Sequence, residues 1–412
     1  MNVEYFIARR IAKSKDYKNS ISGPIIKIAM AAIAVGMIVM LITIATGVGL
    51  QRKIKEKVSA FHGDILITNY DTNFSWDSQN PISIDQNFYP NYDSLPGITH
   101  IQVTALKGGV IRTAETFEGV VVKGVGTDYD WQHFESYLTA GRLPDYNSGL
   151  NGEIMLSQYL ASRLNLKLGD KVPTYFIDEN SERPARTLGF DLVGIFNSGF
   201  QEFDQQFIVA DIRHIQRLNK WEANQIGSFE LFVNDFDQLP EIGNQVYRMI
   251  DSELDALTIR DRYRSTFDWI ELFDFNIYMI IGIMIIVAGI NMITALLVLI
   301  LERTQMIGIL KALGATDWGI RKVFLYNAMY LILLGLLWGN AIGLGLIYLQ
   351  DTFGLFEYPD PEIYYMKEAP VYISAMHIVL LNVGTFVLCL AMLILPSVII
   401  ARISPVKAIR FE

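Results

Sequence analysis

Few residues in this 412-residue chain have the types and spacing for covalent chemistry. The five histidines (His62, His100, His133, His214 and His377) are scattered. None stands in an H-E-x-x-H pattern, which would put two imidazoles on one helix face beside a general base. A single cysteine, Cys389, cannot form a thiolate metal site. No G-x-S-x-G presents a serine nucleophile, and no G-x-x-x-x-G-K-[ST] loop cradles nucleotide phosphates. The expectation is a chain with no catalytic, cofactor-binding or metal-binding residues of its own. The patterned residues lie in ERTQMIGILKALGAT, residues 302–316. Met306, Ile309, Leu310 and Leu313 recur at the i, i+3, i+4, i+7 spacing of one helix face, with Ile307 beside them. Glu302, Arg303 and Lys311 keep the segment in water, and Gly314 is placed to end it as a C′ residue. Such a helix docks rather than reacts.

The elements that position it are apolar. Hydrophobic residues make up 51% of the chain, and the excess is concentrated. Ile28–Leu50, Phe275–Leu301, Val323–Gln350 and Ala369–Ala401 contain no Asp, Glu, Lys or Arg, and each exceeds the roughly 20 residues that span a bilayer core. The first run outlasts a secretory h-region, lacks a small-residue cleavage site and reads as a retained helix. Lys and Arg flank the runs near the N-terminus, in the 302–322 loop and in the C-terminal tail, so both termini and that loop face the cytoplasm. The segment 51–272 and the loop 351–370 then face outward. The formal net charge of −9 comes from the outer segment, where residues 51–270 hold 31 acidic against 20 basic side chains. An acidic outer surface argues against nucleic acid as a partner.

The expected fold is an α-helical membrane protein with four transmembrane helices and a large mixed α/β extracytoplasmic domain between the first and second spans. Residues 1–50 hold an interfacial helix (Val3, Phe6, Ile7 and Ile11 on one face) and the first span. Residues 51–272 form the outer domain, and 273–412 the remaining spans with the 302–322 loop. Strand patterns fall at 64–68, 119–125, 171–177, 188–196, 207–211 and 229–234, and helical patterns at 157–166, 211–219 and 238–254. DENSERPART (178–187) reads as the tip of a hairpin. Gly335, Gly339 and Gly343 form a doubled G-x-x-x-G that lets helices pack closely. Asn291, Asn340 and Asn382 are expected to hydrogen-bond between helices, and Pro396 to kink the last span. The spans carry no ionisable side chain of the kind that couples transport to protons or ions. Energy for transport must then come from another subunit, with the helix at 302–314 as its lever.

The order of elements resembles that of the FtsX/MacB-type ABC permeases. ERTQMIGILKALGATDWGIRKVF (302–324) is similar to their cytoplasmic loop, and PSVIIARISPVKAIRFE (396–412) to their C-terminal ending. Within the superfamily the chain resembles the lipoprotein-releasing, LolC/LolE-type permeases. NGEIMLSQYLASRLNLKLGDKV (151–172), VGIFNSGFQEFDQQFIVADIRHIQRL (193–218), IVAGINMITALLVLILERT (286–304) and PDPEIYYMKEAPVYI (359–373) carry this likeness. The resemblance implies a half-transporter whose outer domain has two α/β lobes. It implies partnership with a cytoplasmic ABC ATPase dimer that binds ATP and Mg, and with a second permease protomer. It also implies a periplasmic carrier and a triacylated lipoprotein substrate drawn from the membrane. Alternatives are a MacB-like efflux or mechanotransmission permease and an FtsX-like regulator of a cell-wall hydrolase. Under the resemblance, Glu302, Arg303 and Lys311 would form the rim of the ATPase contact. Asp178, Glu179, Arg183, Pro184 and Arg186 would belong to a carrier-binding hook. Met37, Met40, Leu41, Ile44 and Val48 on the first span, with Phe275, Tyr278, Met279 and Gly282 on the second, would line one cavity for acyl chains.

Overall fold

The computed structural model describes residues 4, 6, 7, 10 and 22–402, apart from 72–78, 93–96, 148, 177–184 and 360–367. Most of the expected interfacial helix, the hairpin tip and the C-terminal tail from 403 lie outside the described residues. In chain order the main elements are α1 (Ser22–His62), β1 (Ile65–Asn69), β2 (Ile82–Ser83), β3 (Ile98–Arg112), β4 (Phe117–Val125), β5 (Leu138–Gly141) and β6 (Glu153–Ser157). There follow α2 (Gln158–Arg163), β7 (Lys171–Phe176), β8 (Arg186–Phe196), β9 (Phe207–Asp211), α3 (Ile212–Asn219), β10 (Gln225–Ile226), β11 (Ser228–Val233), α4 (Leu239–Met249) and β12 (Leu254–Thr258). The chain ends in α5 (Arg264–Glu302), α6 (Thr304–Ala312), α7 (Asp317–Phe353), α8 (Ala375–Ser397) and α9 (Ile399–Arg402). Two compact units result. One holds α1 to Arg52, Trp269–Glu357 and the chain from Glu368; the greater part of the other is Lys53–Asp268.

In the first unit α1, α5, α7 and α8 are long and apolar enough to cross a membrane. Helices in lipid gain nothing by hiding apolar surface from one another, so close packing and polar pairs must hold them. Both are present. Gly335, Gly339 and Gly343 form a ridge along α7 that lies on α1. A Cβ added at Gly335 would stand 2.9 Å from Ile33 Cβ, one at Gly339 2.7 Å from Met37 Cβ, and one at Gly343 2.9 Å from Leu41 Cδ1. The matched four-residue steps show that α1 and α7 run in the same direction. Asn340 of α7 and Asn382 of α8 exchange hydrogen bonds at 2.7 and 3.0 Å. Each amide also donates to the carbonyl one turn back, Leu336 or Ile378, so every amide hydrogen has an acceptor. In the last turn of α7, Gln350 donates to the carbonyls of Phe356 and Ala369 and accepts the Phe356 N–H, pinning the loop that follows.

In the second unit ten strands pair in the order β12-β1-β11-β3-β4-β9-β6-β8-β5, with β7 bonded to both β3 and β8. The pairings β3–β4–β9–β6–β8–β7–β3 therefore close on themselves. β7 and β8 form the expected hairpin, with Phe176 opposite Arg186 at the base of the tip. Phe61 fills the core among Phe134, Phe196 and Phe203, its ring 3.9 Å from that of Phe203. A polar network lies beside these rings. Lys123 of β4 donates to the Phe61 carbonyl at the end of α1 and pairs with Glu230 of β11 at 2.7 Å. Gln102 and Thr104 of β3 donate to the same carboxylate. Burial pushes the Lys123 ammonium below its ordinary pKa, while Glu230 pulls the other way.

Two outcomes follow from this packing. Asn340→Leu leaves Asn382 unpaired and is expected to lower the unfolding midpoint in detergent by the equivalent of about 1–2 kcal/mol, most of which Asn340→Leu/Asn382→Leu recovers. Lys123→Met leaves a buried carboxylate without its cation and is expected to cost about 3–5 kcal/mol in the same assay.

Candidate functional site

α6 is a nine-residue helix held between two tight corners. Arg303, at φ −98° and ψ 17°, breaks the chain away from α5. Gly314, at φ +91°, closes the other end. Its N–H donates to the Lys311 carbonyl at 3.0 Å and the Ala315 N–H to the Leu310 carbonyl at 3.0 Å, the paired bonds of a Schellman closure. Thr316 then caps α7 by accepting the Gly319 N–H. Both ends of α6 are thus fixed over a short span.

The apolar stripe on α6 divides in two. Ile307 is fully buried in the core of the first unit, and Met306 and Leu310 pack half-buried against it. Ile309 and Leu313 project outward, 47% and 79% exposed, and Trp318 on the first turn of α7 is exposed beside them in sequence. The expected four-residue docking face is thus split: one edge seats the helix on its own protein, and only the other is presented. Glu302 is exposed and Arg303 half-buried. Lys311 departs from its expected place on the rim. Its side chain is only 10% exposed, donates to the Ile400 carbonyl of α9 at 2.8 Å and pairs with Asp317 of α7 at 2.9 Å. The signal was its spacing: Lys311 stands one helical turn after Ile307, so a buried Ile307 carries Lys311 inward with it.

The two stripes expected to share a cavity do not meet within the chain. Met37, Met40, Leu41 and Ile44 are buried in the core of the first unit, and Val48 packs against it. The glycine ridge explains this, since it draws α1 so close to α7 that Met37 and Leu41 fill the notches between glycines. Phe275, Tyr278 and Met279 of α5 point the other way, 68%, 71% and 47% exposed, and Gly282 is exposed with them. On the hairpin, Asp178, Glu179, Arg183 and Pro184 lie outside the described residues. Arg186 opens β8, and its guanidinium reaches the Leu218 carbonyl at 3.5 Å. Among the described residues no group of three or more His, Cys, Asp or Glu is placed to hold a metal ion.

Four apolar helices with a short amphipathic helix between two of them, and a separate α/β domain, define a membrane permease. The family model described as "MacB-like periplasmic core domain" matches residues 28–247, more than half of the chain, and "FtsX-like permease C-terminal" matches residues 278–405. The chain belongs to this MacB-like, FtsX-like permease family. It is 24% identical to "Lipoprotein-releasing system transmembrane protein LolC" of Neisseria meningitidis serogroup B, with all of both chains covered. It is 22% identical to the corresponding LolE protein of Haemophilus influenzae, over 86% of this chain and 84% of that one. Among solved structures, the periplasmic region of MacB from Actinobacillus actinomycetemcomitans covers 50% of this chain and 92% of its own, at 14% identity and a TM-score of 0.34.

The division of α6 gives a direct check. Ile307→Ala empties a fully buried position and is expected to cost about 2–5 kcal/mol in thermal unfolding, whereas Leu313→Ala should change stability by less than about 0.5 kcal/mol.

Proposed function

We propose that this chain is the permease subunit of a lipoprotein-releasing ABC system in the inner membrane of a diderm bacterium. The observation that carries the reading is the end-to-end match to a curated lipoprotein-releasing permease, with neither chain left over. A separate cytoplasmic ATPase dimer supplies the ATP and Mg chemistry, and a second permease protomer completes the membrane part. Both termini and α6 face the cytoplasm. Residues 1–50 hold the N-terminal helix and first span, 51–272 form a periplasmic domain of two lobes inserted after that span, and 273–412 hold the other three spans. The substrate is a triacylated lipoprotein of the outer leaflet, passed to a periplasmic carrier.

The energetics require such a partnership. Removing acyl chain from hydrocarbon costs about 0.8 kcal/mol per CH₂, so three chains of about 15 methylenes cost on the order of 36 kcal/mol. Noncovalent affinity saturates near roughly 18–21 kcal/mol, so a soluble carrier cannot extract the lipoprotein by binding alone. Extraction needs an apolar intermediate surface and an external stroke. The exposed face of α5 at Phe275, Tyr278 and Met279 supports the first role, completed by a second protomer. The outward pair Ile309 and Leu313 supports the second, as the part of α6 that enters the ATPase groove. The 178–187 hairpin tip is proposed to hold the carrier.

With the ATPase co-expressed, the native chain should co-purify it and release lipoprotein to carrier in an ATP-dependent way from reconstituted vesicles. Ile309→Asp/Leu313→Asp should lose at least nine-tenths of the co-purified ATPase at an unchanged unfolding midpoint. Full ATPase recovery with that variant would overturn the docking role of α6. ATP-independent release by the native complex would overturn the transport reading.

A further inference from the structure

We propose that Lys311 is a positioning residue that ties α6 to the end of the fourth span, so that force applied to α6 reaches α8 and α9 as well as the two helices it joins covalently. The inference rests on the reading of α6 as the ATPase-facing helix. It begins from connectivity. The chain runs α5–α6–α7, so a push on α6 is transmitted directly to those two helices. α8 comes later and has no covalent route to α6 except back through α7. Its last turn contains Pro396, which has no N–H to donate, and the helix stops at Ser397. α9 is described from Ile399 to Arg402, directly after that break. The Lys311 ammonium reaches this segment from α6 and donates to the Ile400 carbonyl.

The same ammonium pairs with Asp317 in the first turn of α7. One charged group therefore touches three elements: its own helix, the start of the third span and the segment beyond the fourth. Its position is costly to maintain. A lysine withdrawn from water gives up hydration that only well-placed partners replace, and a surface lysine would incur no such loss. The apolar side chains around the tie are just as fixed, since Ile307 and Ile400 are both fully buried. A charge held so firmly between a docking helix and a span to which it is not linked along the chain is suited to carry motion between them.

The test uses the full permease–ATPase complex in lipid nanodiscs, with lipoprotein as cargo and ATP hydrolysis measured in parallel. Lys311→Met keeps the methylene stem and removes every donor. It should co-purify the normal amount of ATPase and hydrolyse ATP within twofold of the native rate, yet release at least tenfold less lipoprotein per ATP. Lys311→Arg should restore most of that ratio. An unchanged release per ATP in Lys311→Met would overturn the tie. So would an equal loss of hydrolysis and release, which marks a purely structural role. If Lys311→Met does not assemble, spin labels at Ala312 and Ile399 in the otherwise native complex decide the matter. Their separation should stay constant between nucleotide-free and ATP-bound states, and a change of several ångströms would overturn the proposal. Failure of the native chain to co-purify any ATPase would instead overturn the reading of α6 itself, and the tie with it.

Discussion

Lipid gives apolar helices no reason to associate, and the membrane-spanning unit depends on what replaces the missing drive. Dispersion contacts decay within an ångström, so they hold helices only where backbones approach closely. The ridge Gly335–Gly339–Gly343 provides that approach, with Ile33, Met37 and Leu41 of α1 seated against it. On the other side of α7, the reciprocal amides of Asn340 and Asn382 fix α8 in register, because sliding by one turn would leave polar groups bare in hydrocarbon. α7 is thus the axis of the unit. The features that differ on its flanks, the buried stripe of α1 and the exposed face of α5, follow from which helix it holds closely.

One device occurs twice, once in each unit. Lys123 in the α/β domain places its ammonium on the carbonyl of Phe61, near the C-terminal end of α1, and takes Glu230 of another element as counter-ion. Lys311 does the same for Ile400 of α9, with Asp317 as counter-ion. Carbonyls at a helix C-terminus have no intrahelical donor and carry the negative end of the helix dipole, so a cation is the natural ligand for them. A carboxylate from a third element stands beside each ammonium as its counter-ion. In both cases a helix end is fastened to its surroundings by a charge that apolar packing alone could not orient.

Much of this architecture was legible in the sequence because it obeys simple periods. The four charge-free runs became α1, α5, α7 and α8; the G-x-x-x-G ridge became a helix contact; Asn340 and Asn382 became an interhelical pair. The β7–β8 hairpin was legible too, and the strands around 207–211 and 229–234 read as short runs rich in β-branched and aromatic residues. β3 was missed, although it is the longest strand. Its sequence, ITHIQVTALKGGVIR, has no clean alternation and a Gly-Gly pair within it, because β11, β4 and β7 all pair along its length and bury much of both its faces. β6, EIMLS, is an almost wholly buried run that periodicity cannot tell from a helix. The stripes on α1 and α5 pose a different difficulty. A stripe of Met, Leu and Ile reads the same whether it meets a ligand, a lipid or a glycine ridge, and only the neighbouring helix decides. The surroundings of Lys311 were hidden in the same way, since a charge on an amphipathic helix is assigned to water unless its buried partners are known.

The glycine ridge also governs how the sequence can vary through time. Every other amino acid carries a Cβ, and at 335, 339 and 343 that single atom would collide with α1 before any difference in polarity or size began to matter. At 335 and 339 a side chain would force α1 to move, and at 343 it would displace the end of Leu41, while the outward residues Ile309 and Leu313 meet no such limit within the chain. In a collection of descendants the ridge would vary less than the outward residues of α6. A search for functional residues guided by invariance alone would then arrive at the packing seam.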